Sequence, residues 1–490
     1  MRMIAAVFSD IHGNYHAFRA CYEDARRQGA EQFVFLGDYV SDLADPRRTM
    51  DLVYEITENY PTFCIRGNRE RYMLEYEKGI SHFTPGSKTG SLLFTYQQLE
   101  PRDLEFFREL QISERIMLGG VPFEIAHGSF DDDRCCLEPG NAKFQEAVSK
   151  MKTAYLLTGH THKEYIQTLN GKTVLNPGSV GVPQGESPWP TYALLQVEQG
   201  EVSVKLRQVQ YDMRAVIRSQ FESGLVACSH CWGIGVLYDL IHAREDTIRL
   251  LENVRSKGDV GDEALWHTEA EKMGMKFTQQ EIIDYLNHRL KHEAFMNETL
   301  SYYNQNADAF IEGTRNADMT RQYRFFLKYL PVGGTLLDLG CGSGRDSAYF
   351  ASLGFRVTAV DGSEELCKRV RANYGIEAHC IRFEELSFEE AFDAVWACAS
   401  LLHVSKAEMP GVLAKVAAAL KPGGILYASF KYGREERVAQ GRFFNDYTEN
   451  DLDALLTAEN QLSLQEYWIT EDVRPDRTGE RWLNLIAKKK

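Results

Sequence analysis

Short apolar runs ending in glycine or asparagine beside a polar residue recur through the first 208 positions. The run Met3–Phe8 stops at Ser9 and is followed at once by Asp10 and His12. "QFVFLGD", "TFCIRGN", "FEIAHGS", "AYLLTGH" and "TVLNPGS" repeat that pattern. Runs of this length bounded by turn residues predict strands, and the repetition predicts a sheet whose strand ends feed one site. Residues 71–112 between them are more helical, with "YQQLEPRDLEFFREL" reading as two turns of helix around Pro101. "TYALLQV" and "VSVKLRQV" alternate as a pair of strands.

The period then changes. "MRAVIRSQFESGL", "GIGVLYDLIHAREDTIRLLENV" and "DEALWHTEAEKMG" carry apolar residues at helical spacing, broken by Gly-containing turns, with no strand signal. From about Tyr302 the helix "MTRQYRFFLKYL" leads to the strand "TLLDLG", a Gly-rich turn, a helix and the strand "RVTAVD". That alternation predicts a doubly wound parallel sheet. Three segments result: an α/β unit over 1–208, a helical connector over 209–295 and a second α/β unit over 296–490.

Composition narrows the setting. The chain has 490 residues, 44% hydrophobic and 26% charged, as in ordinary globular proteins. Ten scattered cysteines imply no disulfide framework and fit a reducing cytoplasm. The first apolar run is too short for a signal peptide, and no stretch approaches the roughly 20 apolar residues of a membrane helix. A net charge of −15 argues against broad polynucleotide binding, which needs Lys and Arg to neutralise phosphates.

The polar residues at the first unit's strand ends are Asp10, His12, Asp38, Asn68, His127, His160 and His162. They offer carboxylate, imidazole and amide groups without a thiolate. That set suits divalent manganese, with iron, zinc or nickel as alternatives, rather than a structural zinc. Asp38 is placed to bridge two ions, and glycines at 13, 37, 67, 128 and 159 supply the tight turns the convergence needs. Two such ions clamp a phosphoryl group and activate water near neutral pH.

In order, "DIH", "GD", "GN", "HG" and "GHTH" resemble the five blocks of the calcineurin-like metallophosphoesterases, over roughly the first 200 residues. The resemblance implies a β-sandwich flanked by helices. It further implies one metal on Asp10, His12, Asp38 and His162, and another on Asp38, Asn68, His127 and His160. "NPGSVG" at 176–181 resembles the small bacterial phosphodiesterase branch. One block departs: "GNRE" puts Arg69 where monoesterase branches carry a histidine. Arginine cannot act as a general acid but stabilises charge on phosphate. The departure favours a diester or an activated phosphate, with Asn68, Arg69 and His127 as catalytic candidates.

In the last segment, "LLDLGCGSGRDSAYF" puts a Gly-x-Gly-x-Gly turn between strand and helix, and Asp361 ends the next strand. Alone, that turn could serve any dinucleotide. Asp338 before the first glycine, the "GCGSG" form and "LKPGGILYASF" resemble class I S-adenosylmethionine-dependent methyltransferases, closest to small-molecule and tellurite-resistance types. The resemblance implies a Rossmann-like sheet with Gly340, Cys341, Gly342 and Gly344 along the methionine. Asp361 and Gly362 would then lie at the ribose, Glu384 near adenine and Ala399 bordering the cofactor, with Leu402 and His403 facing the acceptor. His403 is a general base or a structural histidine. "FKYGREERVAQGRFFNDYTENDL" is a substrate lid or a solvated loop, and Tyr302 and Tyr303 cover the cofactor or pack in the core.

Weaker signals read as structural: the "CSHC" at 228–231, His288 and His292 on one helix face, and the adjacent Cys135 and Cys136. Residues 83–94 shape phosphoesterase specificity by position alone. The chain is therefore expected to be a bifunctional enzyme acting on a small-molecule phosphate ester and a small-molecule methyl acceptor. Two other readings stand beside it: RNA-end processing followed by methylation, and a regulatory fusion in which one domain gates the other.

Overall fold

The computed structural model describes residues 2–185, 187–459, 461–474, 477 and 479–490. The chain divides into two compact units, Met1–Leu286 and Asn287–Lys490.

Among the described residues the first unit holds ten strands: β1 (Arg2–Phe8), β2 (Gln32–Phe35), β3 (Thr62–Cys64), β4 (Ser113–Leu118), β5 (Val121–Ala126), β6 (Tyr155–Leu157), β7 (Glu164–Leu169), β8 (Lys172–Pro177), β9 (Thr191–Glu198) and β10 (Glu201–Gln208). They form two five-stranded sheets, ordered β10-β9-β1-β2-β3 and β4-β5-β6-β8-β7. The ligand-bearing strand ends therefore come from two sheets, not the one that their repetition suggested. β1 explains the layering. Ala5 and Val7 point into a core shared with Phe123, Ile125 and Leu157 of the second sheet. Ala6 and Phe8 point the other way, onto Phe18, Met50 and Val53 of the helices Tyr15–Arg27 and Pro46–Asn59. A strand covered on both faces must be apolar throughout, which is why β1 reads as a run and not as an alternation. β10, at the sheet edge, alternates exposed and half-buried positions.

Five helices follow: Met213–Glu222, Leu225–His242, Asp246–Lys257, Glu263–Lys272 and Gln279–Gln305. The last runs across the division between the units. Leu225–His242, whose backbone leaves helical geometry at His230 (φ 46°), has the length and hydropathy of a membrane span, which the sequence reading overlooked, and 67% of it is buried. It packs against the helix Gly90–Gln98 through Leu225 and Phe94.

The second unit carries β11 (Thr335–Leu339), β12 (Arg356–Asp361), β13 (Ala378–Cys380), β14 (Phe392–Ala397), β15 (Leu420–Lys431), β16 (Glu436–Ala439), β17 (Arg442–Asn445), β18 (Leu462–Glu471) and β19 (Arg481–Lys489). Seven of them form a sheet ordered β13-β12-β11-β14-β15-β19-β18. The first five are parallel, and β19 and β18 are antiparallel additions. The order reverses at β11 and β14, where ligands of open α/β sheets bind. β16 and β17 form a separate hairpin within the polar insertion.

Candidate metal centre and cofactor cavity

Five of the seven ligand candidates sit in left-handed backbone: Asp10 (φ 54°), His12 (53°), Asp38 (53°), His160 (68°) and His162 (58°). Non-glycine residues pay about 1–3 kcal/mol each to be held so, and such strain clusters at functional sites. The strained turns bring two ligand groups together, Asp10 with His12 and His162, and Asp10 with Asp38 and His127. Within each group the ligand atoms lie within 4.8 Å of one another. Asp10 thus serves both groups, while Asp38 Oδ2 stands 3.8 Å from His12 Nε2 and 3.4 Å from His127 Nε2.

The imidazoles are oriented from behind. His127 Nδ1 donates to the Leu36 carbonyl at 2.7 Å, and His162 Nδ1 to the Val182 carbonyl at 2.7 Å. His12 Nδ1 lies 3.2 Å from Asp42 Oδ2. With Nδ1 of His127 and His162 committed to carbonyls, Nε2 of those two rings is the nitrogen that presents a lone pair to a cation. Asp10 Oδ1, Asn68 Oδ1 and His127 Nε2 are buried without a hydrogen-bond partner. Orphaned acceptors of this kind, two of them 3.9 Å apart in Asp10 Oδ1 and His127 Nε2, fit divalent cations. His160 is held by its backbone N–H on Asp10 Oδ2 at 3.0 Å, its ring against His127.

The electrostatics agree. Burial opposes charge on His127, yet Asp38 and Asp10 raise it to about 10. Burial likewise opposes charge on His12, but Asp10 and Asp42 raise it to about 9. Burial pushes the Asp38 carboxyl up, but His127 and His12 hold it at about 2. The carboxylates demand positive charge, and protons supply it where a cation does not. His160 differs: burial and the His127 charge lower it to about 4, leaving it neutral.

Two acids escaped the sequence reading. Asp42 Oδ2 takes Arg69 Nη2 at 2.9 Å as well as facing His12, and its Oδ1 accepts the Trp232 indole N–H at 3.1 Å. No motif marks Asp42; only the fold brings Trp232 to it. Glu70 accepts the backbone N–H groups of Asp38, Tyr39 and Gly67 at 2.8–2.9 Å, tying two strand ends together. It stands in "GNRE", where its spacing as third residue of the helix Asn68–Glu77 was the available signal.

In the second unit Gly340, Cys341, Gly342, Asp361, Gly362, Ala399 and His403 line one cavity. Asp361 braces the glycine turn: its carboxylate accepts from Gly342 N and Ser363 N, both at 2.9 Å. Asp338 and Gly344 lie outside the lining; Asp338 is buried and accepts from the Ser347 hydroxyl. Burial, with Asp346 nearby, raises Asp338 to about 8. The Glu384 side chain is exposed and also outside the lining, which its turn reaches through Arg382 and Phe383. His403 donates from Nδ1 to the Phe443 carbonyl at 2.5 Å and accepts the Tyr303 hydroxyl at Nε2 at 3.0 Å. Burial, reinforced by the charges of Arg442 and Lys431, lowers it to about 4, so it is neutral near pH 7.

A family model described as a calcineurin-like phosphoesterase superfamily domain matches residues 3–200, and a methyltransferase domain model matches residues 336–424. An uncharacterised protein of Methanocaldococcus jannaschii is 22% identical over 241 residues, 44% of this chain and 90% of that protein. A ubiquinone biosynthesis O-methyltransferase of Xanthomonas axonopodis pv. citri is 37% identical over 106 residues, 20% of this chain. The match spans only 44% of that enzyme's length. A solved metallophosphoesterase from Sphaerobacter thermophilus is 21% identical, with 47% of this chain and 98% of that chain covered and a TM-score of 0.38.

Proposed function

We propose that this chain, a calcineurin-like phosphoesterase domain fused to an S-adenosylmethionine-dependent methyltransferase domain, hydrolyses a phosphodiester or activated phosphate and methylates a small-molecule acceptor. The observation that carries the first half is the convergence of Asp10 Oδ1 and His127 Nε2, buried, without hydrogen-bond partners and 3.9 Å apart, in the two ligand groups.

Bound at those groups, two divalent ions supply Lewis-acid polarisation of phosphate and water; manganese is the proposed metal. The protein's own part is positioning. Asp10, His12 and His162 would hold one ion and Asp10, Asp38 and His127 the other, with Asn68 and His160 as the further candidate ligands. Arg69, 22% exposed and anchored by Asp42, presents its guanidinium beside Asp38 to neutralise phosphate charge. Neither Arg69 nor the neutral His160 can protonate a poor leaving group. A diester or an activated phosphate fits that inventory better than a simple monoester.

In the second unit the cavity orients cofactor and acceptor, and in-line approach supplies most of the rate effect. Neutral His403, fixed by the Phe443 carbonyl, can take up an acceptor proton through Tyr303. The net charge of −15 favours small-molecule substrates over polynucleotides. Ten free cysteines suit a cytoplasmic setting.

The test is hydrolysis of bis-p-nitrophenyl phosphate against p-nitrophenyl phosphate, with Mn²⁺ and with chelator, in wild type and His127→Ala. Metal-dependent preference for the diester, lost in the variant, is the expected result. Preference for the monoester would overturn the role given to Arg69.

A further inference from the structure

Six cationic side chains line the second unit's cavity: Arg345, Arg382, Lys431, Arg442, Arg474 and Arg477. Five have a carboxylate within 4.0 Å: Asp346, Glu384, Glu480, Asp472 and Glu480 respectively. Arg442 has none among the described residues, although it is only 8% exposed. Its Nη2 donates to Gln440 Oε1 at 3.0 Å, and its Nε has no hydrogen-bond partner. The rings of Tyr302, Phe444 and Tyr303 surround the guanidinium at 4.5, 5.3 and 5.9 Å.

Aromatic faces ease the burial of a cation but do not replace an anion. A buried guanidinium with an open Nε donor is suited to a carboxylate or phosphate, which arginine binds through two parallel hydrogen bonds. Position says which ligand supplies it. Tyr303 and Phe444, both beside Arg442, also flank His403: Tyr303 through its hydroxyl, Phe444 with ring centroids 5.2 Å apart. Asp361, which braces the glycine turn, is not within 4.0 Å of the Arg442 guanidinium. Arg442 therefore belongs to the His403 side of the cavity, and the hairpin that the sequence left as lid or loop delivers it there.

We propose that Arg442 binds a carboxylate or phosphate group of the methyl acceptor, so that the second unit methylates an anionic small molecule. This rests on the methyltransferase reading of that unit. The bound anion fixes the acceptor's far end, leaving its nucleophile to be oriented beside Tyr303 and His403.

The experiment uses the full chain saturated with S-adenosylhomocysteine. Thermal stability is followed against increasing benzoate, inorganic phosphate and neutral benzamide, in wild type, Arg442→Gln and Arg442→Lys. We expect saturable stabilisation of wild type by at least one anion and none by benzamide. The apparent affinity should fall about ten- to a hundredfold in Arg442→Gln, the loss expected for a charge-assisted pair, with partial rescue in Arg442→Lys. No anion effect on wild type, or an equal effect on Arg442→Gln, would overturn the proposal. A second arm compares S-adenosylhomocysteine with 5′-methylthioadenosine, which lacks the carboxylate. If Arg442→Gln weakens only the former, the anion is the cofactor's own and the acceptor assignment falls. Failure of wild type to bind either nucleoside would instead overturn the methyltransferase reading itself.

Discussion

Gly67→Ala should disable the metal centre although the backbone angles at position 67 suit any residue. Gly67 has φ −100°, which any residue adopts, so the substitution acts only through the space its Cβ enters. That Cβ would stand 2.2 Å from Asp38 Oδ1 and 2.8 Å from both Asp38 Cγ and Asp38 N. Real Cβ contacts essentially never fall below 3.0 Å. Relieving the overlap moves the carboxylate by about 1 Å and the Asp38 backbone N by a few tenths of an ångström, a misplacement worth ~10²-fold in rate. The carboxylate cannot retreat freely, because Asp38 Oδ1 also accepts the Arg69 N–H at 2.8 Å and Glu70 grips the Asp38 N–H at 2.9 Å. We expect metal-dependent diester hydrolysis to fall about a hundredfold, with weaker Mn²⁺ binding by calorimetry. Gly79→Ala is the control: φ is 70° there and nothing lies within 4 Å of the added carbon. It should cost about 1 kcal/mol of stability and no activity. Wild-type Mn²⁺ affinity and rate in Gly67→Ala would refute the claim that close approach at this turn positions Asp38.

Asp42→Asn should loosen both His12 and Arg69, lowering metal affinity about ten- to a hundredfold; a Mn²⁺ titration checks it, and a shift of tryptophan emission should report the altered Trp232 partner. In chelator, His12 at about 9 and His127 at about 10 both stand above the ordinary 6.5. Their contribution is complete below about pH 6.5 and is lost as pH rises through 9 and 10. Thermal melts of chelated protein should therefore lose stability across that alkaline window, and melts with Mn²⁺ should lose less.

The positions that read clearly in the sequence are those whose chemistry is local. Asp10, His12, Asp38, His127 and His162 announce themselves because each stands within five residues of the end of an apolar run, and the structure gathers all five into the two ligand groups. β1 through β3 and the parallel core of the second unit were legible for the same reason, since strand period and glycine turns are properties of short windows. What was not legible depends on distant residues meeting. Asp42 lies in a loop of ordinary composition, and its value comes from Trp232, 190 positions away. The split of the ligand-bearing strands between two sheets is set by pairing, which apolar runs do not specify. Arg442 sits in a polar insertion that reads equally as loop or lid, and only burial without a carboxylate distinguishes it from a solvated arginine. Glu384 illustrates the converse: a recognisable acidic pair whose Glu384 side chain is exposed.

The most direct test of the account is Mn²⁺ stoichiometry in the chelator-stripped chain and its Asp10→Ala variant, with S-adenosylhomocysteine binding as the check that the second unit remains folded. Because Asp10 belongs to both ligand groups, the account predicts two ions per wild-type chain and loss of tight binding at both sites in the variant, with nucleoside binding intact. A wild-type chain that takes up no Mn²⁺, or a variant that retains both ions at wild-type affinity, would contradict it.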